Sequence, residues 1–97
     1  MILFCEYFIL EQYRNDFADW SLIHRDNWQD AQLLENIGQP GIYVEIWSVR
    51  SDEEAGNVEK ERREGRSWRE LDNWIKGGNE GLRIWVFRSV FVNEEHS

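Results

Sequence analysis

An almost uninterrupted apolar stretch opens the chain, over residues 1–10. Aromatic, aliphatic and β-branched side chains dominate it, which is typical of a β-strand. Its two alternating sets of side chains are both largely apolar, and Glu6 is the one charged residue among them. A strand of this kind is covered on both faces in a folded protein. We therefore expect the first strand to lie between two layers of protein.

The pattern changes to helical spacing over residues 12–26. Aromatic side chains recur there at intervals of three or four residues, at Tyr13, Phe17, Trp20 and His24. Such intervals place side chains on one face of an α-helix, and most charged residues of the segment fall on other faces. The segment therefore predicts an amphipathic helix that packs one stripe against a sheet.

Two further strands are predicted over residues 31–37 and 42–50. They flank a turn at 38–41, where the only proline lies between two glycines. We expect the aliphatic set of the second strand to face the helices: Ile42, Val44 and Ile46. The alternate set is expected to form a second, partly polar buried face: Tyr43, Glu45 and Trp47.

Capping signals mark the helices of the second half. Ser51 and Glu54 have the spacing of a capping box, which predicts a helix that starts at residue 52. Only two residues of 52–64 are apolar, so we expect a helix that is either solvated or only half-ordered and that a glycine ends at position 65. A second capping box at 67–70 precedes an apolar helical face and the glycine pair 77–78, which predicts a second helical piece that stops there.

The last predicted strand covers residues 82–92. Its two alternating sets are both mostly apolar, and each contains one arginine, Arg83 or Arg88. The pattern leaves open which set faces the helices. Residues 93–97 are polar and are predicted to form a flexible tail. Nothing indicates a second domain, so residues 1–97 are treated as one domain.

The order of the elements is β-α-β-β-α-β, which belongs to the α+β class. Two right-handed crossovers give a ferredoxin-like fold with a four-stranded antiparallel sheet in the order 4-1-3-2. Both helices then cover the same face. We expect the uncovered face to show Phe4, Phe8, Tyr43, Trp47 and either Trp85 or Val86.

Leaving such a face exposed to water costs free energy. At about 25 cal/mol per Å² of apolar area, several exposed aromatic groups forgo several kcal/mol. The whole stability of a small domain is only roughly 5–15 kcal/mol. The simplest cover is a second copy of the same sheet, related by a two-fold axis. The sequence therefore predicts a homodimer in which the two sheets face each other.

The net charge of the chain limits which classes of molecule are expected to bind the protein. Eleven Lys and Arg against nineteen Asp and Glu give a net charge of 11 − 19 = −8. Nucleic acids and anionic membranes attract basic surfaces, so neither is an expected partner. Cys5 is the only cysteine and cannot form an intramolecular disulfide, and the chain start does not match a signal peptide. We therefore expect a cytoplasmic protein, and the sequence has no motif that indicates a cofactor or a metal.

Four segments carry a resemblance to a known superfamily: the strand 2–10, the turn and strand 38–47, the helix start 51–54 and the closing strand 82–91. In their order and spacing the chain resembles the dimeric α/β-barrel superfamily, which includes antibiotic-biosynthesis-monooxygenase-like and NIPSNAP-like small proteins. The resemblance implies two sheets that face each other in a closed barrel. Some members are cofactor-free oxygenases and others bind or degrade haem. The haem-degrading pattern needs an Asn on the first strand, which this chain lacks, so no haem site is implied.

Glu6 and Glu45 are the candidate catalytic residues. Each lies mid-strand in an aromatic set, on strands that are neighbours in the predicted order. A carboxylate that faces a covered cavity loses solvation, which raises its pKa and suits it to act as a general acid or base. The alternative is structural: a buried pair with an arginine, for which Arg83 and Arg88 are candidates beside Glu6, or a carboxylate reached by water.

Two functions stay open at this point. One is a binding or structural homodimer without catalysis, whose cavity holds a small aromatic ligand. The other is a cofactor-free monooxygenase or isomerase, in which Glu6 or Glu45 abstracts a proton from a flat aromatic or quinone-like substrate. The residues expected to contact the ligand are Phe4, Tyr43, Trp47, Arg83 and Trp85. Whether the protein is an enzyme at all is not decided by the sequence.

Overall fold

The structure of the protein, a computed structural model, describes residues 1–91. The tail predicted at 93–97 and the end of the last predicted strand at Val92 lie outside the described residues. The strands and α-helices of the described part are β1 (Ile2–Phe8), α1 (Arg14–Ile23), β2 (Ala31–Glu35), β3 (Ile42–Ser48), α2 (Asp52–Glu64), α3 (Arg69–Asp72) and β4 (Arg83–Phe87). Short 3₁₀ turns lie at Glu11–Tyr13, Arg25–Trp28, Arg66–Trp68 and Gly78–Gly81.

The four strands form one sheet in the order β2-β3-β1-β4, and every neighbouring pair is antiparallel. Read from the other edge, this is the predicted order 4-1-3-2. The α+β architecture is compatible with a ferredoxin-like fold. The predicted strands were too long, because β2 ends at Glu35, β3 at Ser48 and β4 at Phe87. Apolar character continues past the last ladder hydrogen bonds, so hydrophobicity alone does not mark a strand end.

One face of the sheet holds the core. Leu3, Cys5 and Tyr7 of β1 are buried there with Phe17 and Trp20 of α1, which confirms the stripe predicted for the first helix. Further buried core residues come from the segments after α1 and α2: Trp28, Trp68, Leu71 and Ile75. Burial raises the pKa of the Cys5 thiol to about 12, so this thiol is unreactive at neutral pH.

The face assignment predicted for β3 was wrong. Tyr43 lies opposite Tyr7 in the antiparallel ladder, and Trp47 lies opposite Leu3. Directly opposed residues share a face, so the aromatic set of β3 points to the helices. The register with β1 decides this orientation, and a buried arginine compensates the one charge in the inward set. Tyr43 and Trp47 are therefore not among the side chains that the uncovered face exposes.

The opposite side of the sheet is the open face, which no helix of residues 1–91 covers. None of its side chains is buried within the described part of the chain. By register its members are Ile2, Phe4, Glu6, Phe8, Gln32, Leu34, Ile42, Val44, Ile46, Ser48, Arg83, Trp85 and Phe87. The question that the sequence left open for the last strand is answered here, because the set with Arg83 and Trp85 lies on the open face.

The capping box before α2 forms as predicted, with one difference. The backbone N–H of Glu54 donates to Ser51 Oγ at 3.0 Å. The Glu54 carboxylate in turn accepts from the N–H of Arg50 at 2.6 Å, one residue before the cap. The helix ends at Gly65 as expected, but it is not merely solvated, because Ala55 and Arg62 are buried.

The second predicted capping box does not form. The described segment after α2 splits into a 3₁₀ turn and the four-residue helix α3, and neither has a side-chain cap. Gly65 and the turn that follows redirect the chain, so a regular helix never starts at Ser67. The apolar positions still reach the core, and Ile75 pairs with Ile9 in an isolated β-bridge.

Glycines shape the loop between this bridge and β4. Gly77 has φ +84° and Gly78 has φ +62°, a left-handed conformation that disfavours residues with a Cβ. At Gly81 the constraint is steric, because a Cβ would overlap the carbonyl oxygen of Lys76. The loop therefore needs glycine for two different reasons.

Gly81→Ala is expected to destabilise the protein by about 2–3 kcal/mol, because the backbone near Lys76 must move to admit the methyl group. Gly56→Ala is the matched control. Gly56 lies inside α2 with open space around it, so the same change should stabilise by about 0.5–1 kcal/mol. Urea unfolding of both variants measures the change in the free energy of unfolding, which should be negative for Gly81→Ala and positive for Gly56→Ala. Equal changes in the two variants would contradict the packing described for the loop.

Candidate functional site

A buried ion pair ties α2 to the sheet. Arg62 Nε donates to Glu45 Oε1 at 2.8 Å, and its Nη2 donates to Oε2 at 3.0 Å. Tyr7 Oη donates to Oε2 at 2.6 Å, and Trp47 Nε1 donates to Oε1 at 3.0 Å. Arg62 and Glu45 are 1% and 0% exposed. The Arg62 guanidinium also lies 4.2 Å from the centre of the Trp68 ring.

These contacts decide the charge state of Glu45. Burial alone would raise its pKa, but the charge of Arg62 and the hydrogen bonds from Arg62, Tyr7 and Trp47 hold the pKa below its usual value. Burial and the neighbouring carboxylate raise the pKa of Tyr7 well above its ordinary range. Glu45 is therefore an ionised acceptor of four hydrogen bonds. This matches the structural alternative of a buried pair with an arginine, and the partner of Glu45 is Arg62, which was not among the predicted residues.

Arg62 was missed by the sequence reasoning, although a signal for it exists. Ala55 and Val58 are the two apolar residues of α2, and Arg62 continues their spacing by four residues. Arg62 therefore lies on the one stripe of this helix that faces the sheet. A basic residue on the inward stripe, with a single acid in the inward set of β3, indicates a buried pair.

The two candidate carboxylates are not brought together. Glu6 lies opposite Val44 on β3 and Arg83 on β4, on the open face. Glu45 lies opposite Cys5, on the helix-covered face. The prediction that both face one cavity was wrong, because neighbouring positions of a ladder alternate between faces and the two residues are one position out of step.

The expected ligand contacts divide in the same way. Phe4, Trp85 and Arg83 share the open face, and the ring centres of Phe4 and Trp85 lie 5.8 Å apart. Trp85 is 48% exposed and Phe87 is 51% exposed. Tyr43 and Trp47 belong to the opposite face, so the expectation that they contact the same ligand as Trp85 is wrong.

A cleft of about 670 Å³ lies where the open face meets the glycine loop, the loop between Ile75 and β4 that contains Gly77, Gly78 and Gly81. It is lined by Glu6, Tyr7, Phe8, Ile42, Lys76, Gly77, Glu80, Gly81 and Arg83. Two cations lie near the Phe8 ring, with Arg14 Cζ 5.4 Å and Lys76 Nζ 5.9 Å from its centre. Trp47 lines a separate cleft of about 590 Å³ with Gln32 and Arg50.

Comparisons with known proteins give no family assignment: no family model, curated protein or solved structure matches the chain. No helix within residues 1–91 has the length and apolar character that crossing a bilayer requires. The described residues also contain no group of three His, Cys, Asp or Glu side chains placed to hold a metal ion. The open face and the adjoining cleft are the candidate site.

Proposed function

We propose that the protein is a homodimer that packs two open faces against each other and binds a small aromatic molecule between them. The observation that carries the proposal is the aromatic surface of the open face, where Trp85 and Phe87 are about half exposed. Exposed apolar patches of this kind mark interaction sites, and large exposed aromatic groups are typical anchors of interfaces.

Charge favours a second copy as the occupant. The chain carries a net charge of −8, yet the open face has one acid, Glu6, and one base, Arg83. Two such faces can approach without opposing a net charge, whereas contacts through the acidic α2 would bring like charges together. A homodimer through the open face is also the arrangement that the resemblance to dimeric α/β barrels implies.

The aromatic ligand follows from the composition of the face. Phe4 and Trp85 offer neighbouring ring faces, and the cleft beside Phe8 supplies volume in the range of small-molecule sites. Binding without chemistry is favoured over the oxygenase alternative. A base mechanism would have to use Glu6 alone, because Glu45 is occupied by Arg62 beneath the helices.

A neutral flat probe tests the ligand part of the proposal. We expect 2-naphthol to bind the wild-type protein in ligand-observed NMR, and Phe4→Ala to weaken it by about tenfold through loss of the ring contact. Leu22→Ala is the control, because Leu22 is 67% exposed on α1, away from the sheet. Equal binding to the two variants would contradict a site on the open face.

A further inference from the structure

Two opposite charges on the open face stand side by side without pairing. Glu6 and Arg83 are directly opposed in the ladder between β1 and β4. Directly opposed side chains have Cβ atoms about 4.5–5.5 Å apart, so an ion pair is within reach of both. Yet the ion pairs of residues 1–91 are Arg62 with Glu45 and Arg63 with Glu59, and neither Glu6 nor Arg83 takes part. Both side chains line the cleft instead.

The lining of the cleft adds a second base and a second acid to Arg83 and Glu6. Lys76 and Glu80 line it from the glycine loop, and they too belong to none of the ion pairs of residues 1–91. Two bases and two acids therefore surround one space. A simple anion would meet two carboxylates there and a simple cation would meet two bases, so the lining favours neither. A molecule that carries both charges has complementary partners on both sides.

Apolar rings lie on either side of the charged pair along the strand. Phe4 and Trp85 form the next pair of the open face in one direction, and Phe8 lies in the other. The Phe8 ring already has Arg14 and Lys76 against it, whereas Trp85 is 48% exposed, so the accessible ring lies on the side of Phe4 and Trp85. A ligand held at Glu6 and Arg83 can therefore lay an apolar group on an aromatic ring.

We propose that the cleft binds a zwitterion with an aromatic side chain, the chemical class of the aromatic α-amino acids. The ligand ammonium donates to Glu6, its carboxylate accepts from Arg83, and its ring packs on the aromatic side chains beside them. The separation of a few ångströms between ammonium and carboxylate in an α-amino acid suits two opposed residues of a ladder. This inference rests on the proposed function and names the class of its aromatic ligand.

Three related probes test it by calorimetric titration at pH 7. L-phenylalanine carries both charges, 3-phenylpropanoate lacks the ammonium, and 2-phenylethylamine lacks the carboxylate. We expect L-phenylalanine to bind at least about tenfold more tightly than either analogue, because each analogue leaves one charge-assisted hydrogen bond unmade. Equal affinities of the three probes would overturn the proposal.

Single variants assign each charge. Glu6→Gln should weaken L-phenylalanine by about tenfold and leave 3-phenylpropanoate unchanged. Arg83→Gln should weaken L-phenylalanine equally and leave 2-phenylethylamine unchanged. Glu53→Gln and Arg69→Gln are the controls, because both positions are exposed on helices. Loss of all three probes alike in Glu6→Gln would contradict the assignment.

The two proposals fail in different ways. A protein that sediments as a dimer and binds 2-naphthol, but shows no preference for L-phenylalanine over its analogues, overturns the zwitterion site alone. A protein that sediments as a monomer and binds none of the probes overturns the proposed function as well.

Discussion

Replacing Arg62 with Leu is expected to lower the free energy of unfolding by about 3–5 kcal/mol at pH 7. The change leaves the Glu45 carboxylate buried without its cation, and the hydrogen bonds from Tyr7 and Trp47 are too few to replace the bidentate pair. Urea unfolding at a fixed protein concentration measures the loss, since the concentration enters the apparent stability of a dimer.

Arg63→Leu is the matched control for this variant. Arg63 pairs with Glu59 on the same helix, but their side chains are 31% and 40% exposed. Exposed pairs at this spacing contribute about 0.3–0.5 kcal/mol, so the neighbouring change should have a small effect. If Arg62→Leu and Arg63→Leu lower the free energy of unfolding by similar amounts, the claim that the buried Arg62–Glu45 pair contributes more than the exposed pair is contradicted.

The stability of the wild type and that of Arg62→Leu should depend on pH with opposite signs. In the wild type the pKa of Glu45 lies below its unfolded value, so the pair stabilises the fold above the unfolded pKa of about 4.5. That contribution is lost as the pH falls towards the folded pKa. In Arg62→Leu we expect burial to raise the pKa of Glu45 instead. The variant should then recover part of its stability on acidification from pH 7 to pH 5, and a constant difference between the proteins would contradict this account.

Trp85→Glu is expected to convert the proposed dimer into a monomer. The change places a carboxylate in the aromatic part of the open face, and in a homodimer two copies of that charge enter one interface. Loss of an aromatic anchor alone raises a dissociation constant by roughly thirtyfold or more. Sedimentation velocity at several protein concentrations measures the change.

Leu22→Glu is the control for Trp85→Glu. Leu22 is an exposed apolar residue of α1, so the same kind of substitution there should leave the proposed dimer intact. Circular dichroism should show both variants folded. Dissociation by Leu22→Glu with a dimeric Trp85→Glu would place the interface on the helices and contradict the role of the open face.

Much of the fold could be predicted because its signals are local. The stripe of Phe17 and Trp20 and the cap at Ser51 depend on residues within a few positions of each other. The strand order follows from the sequence of elements and the handedness of crossovers. The break at Gly65 was predicted, but the piece after it was predicted as a regular helix and is only the four-residue α3. Its path depends on contacts with the rest of the chain, such as the bridge between Ile75 and Ile9.

The candidate site was harder to predict, because the face of a strand depends on register between distant segments. Ile42 and Val44 are more hydrophobic than Tyr43 and Glu45, so pattern alone places the wrong set in the core. The actual arrangement becomes favourable only when Arg62, seventeen residues after Glu45, supplies the opposite charge. A hydrophobicity scale scores residues one at a time, so it does not detect compensation between two distant charges.

Sedimentation equilibrium of the wild-type protein tests the central claim most directly. If a second copy covers the open face, the mass at micromolar concentration will be twice the 11.7 kDa of the chain. Addition of L-phenylalanine should then leave that mass unchanged. A mass of one chain throughout the micromolar range would show Phe4, Trp85 and Phe87 in contact with solvent, and would contradict the account.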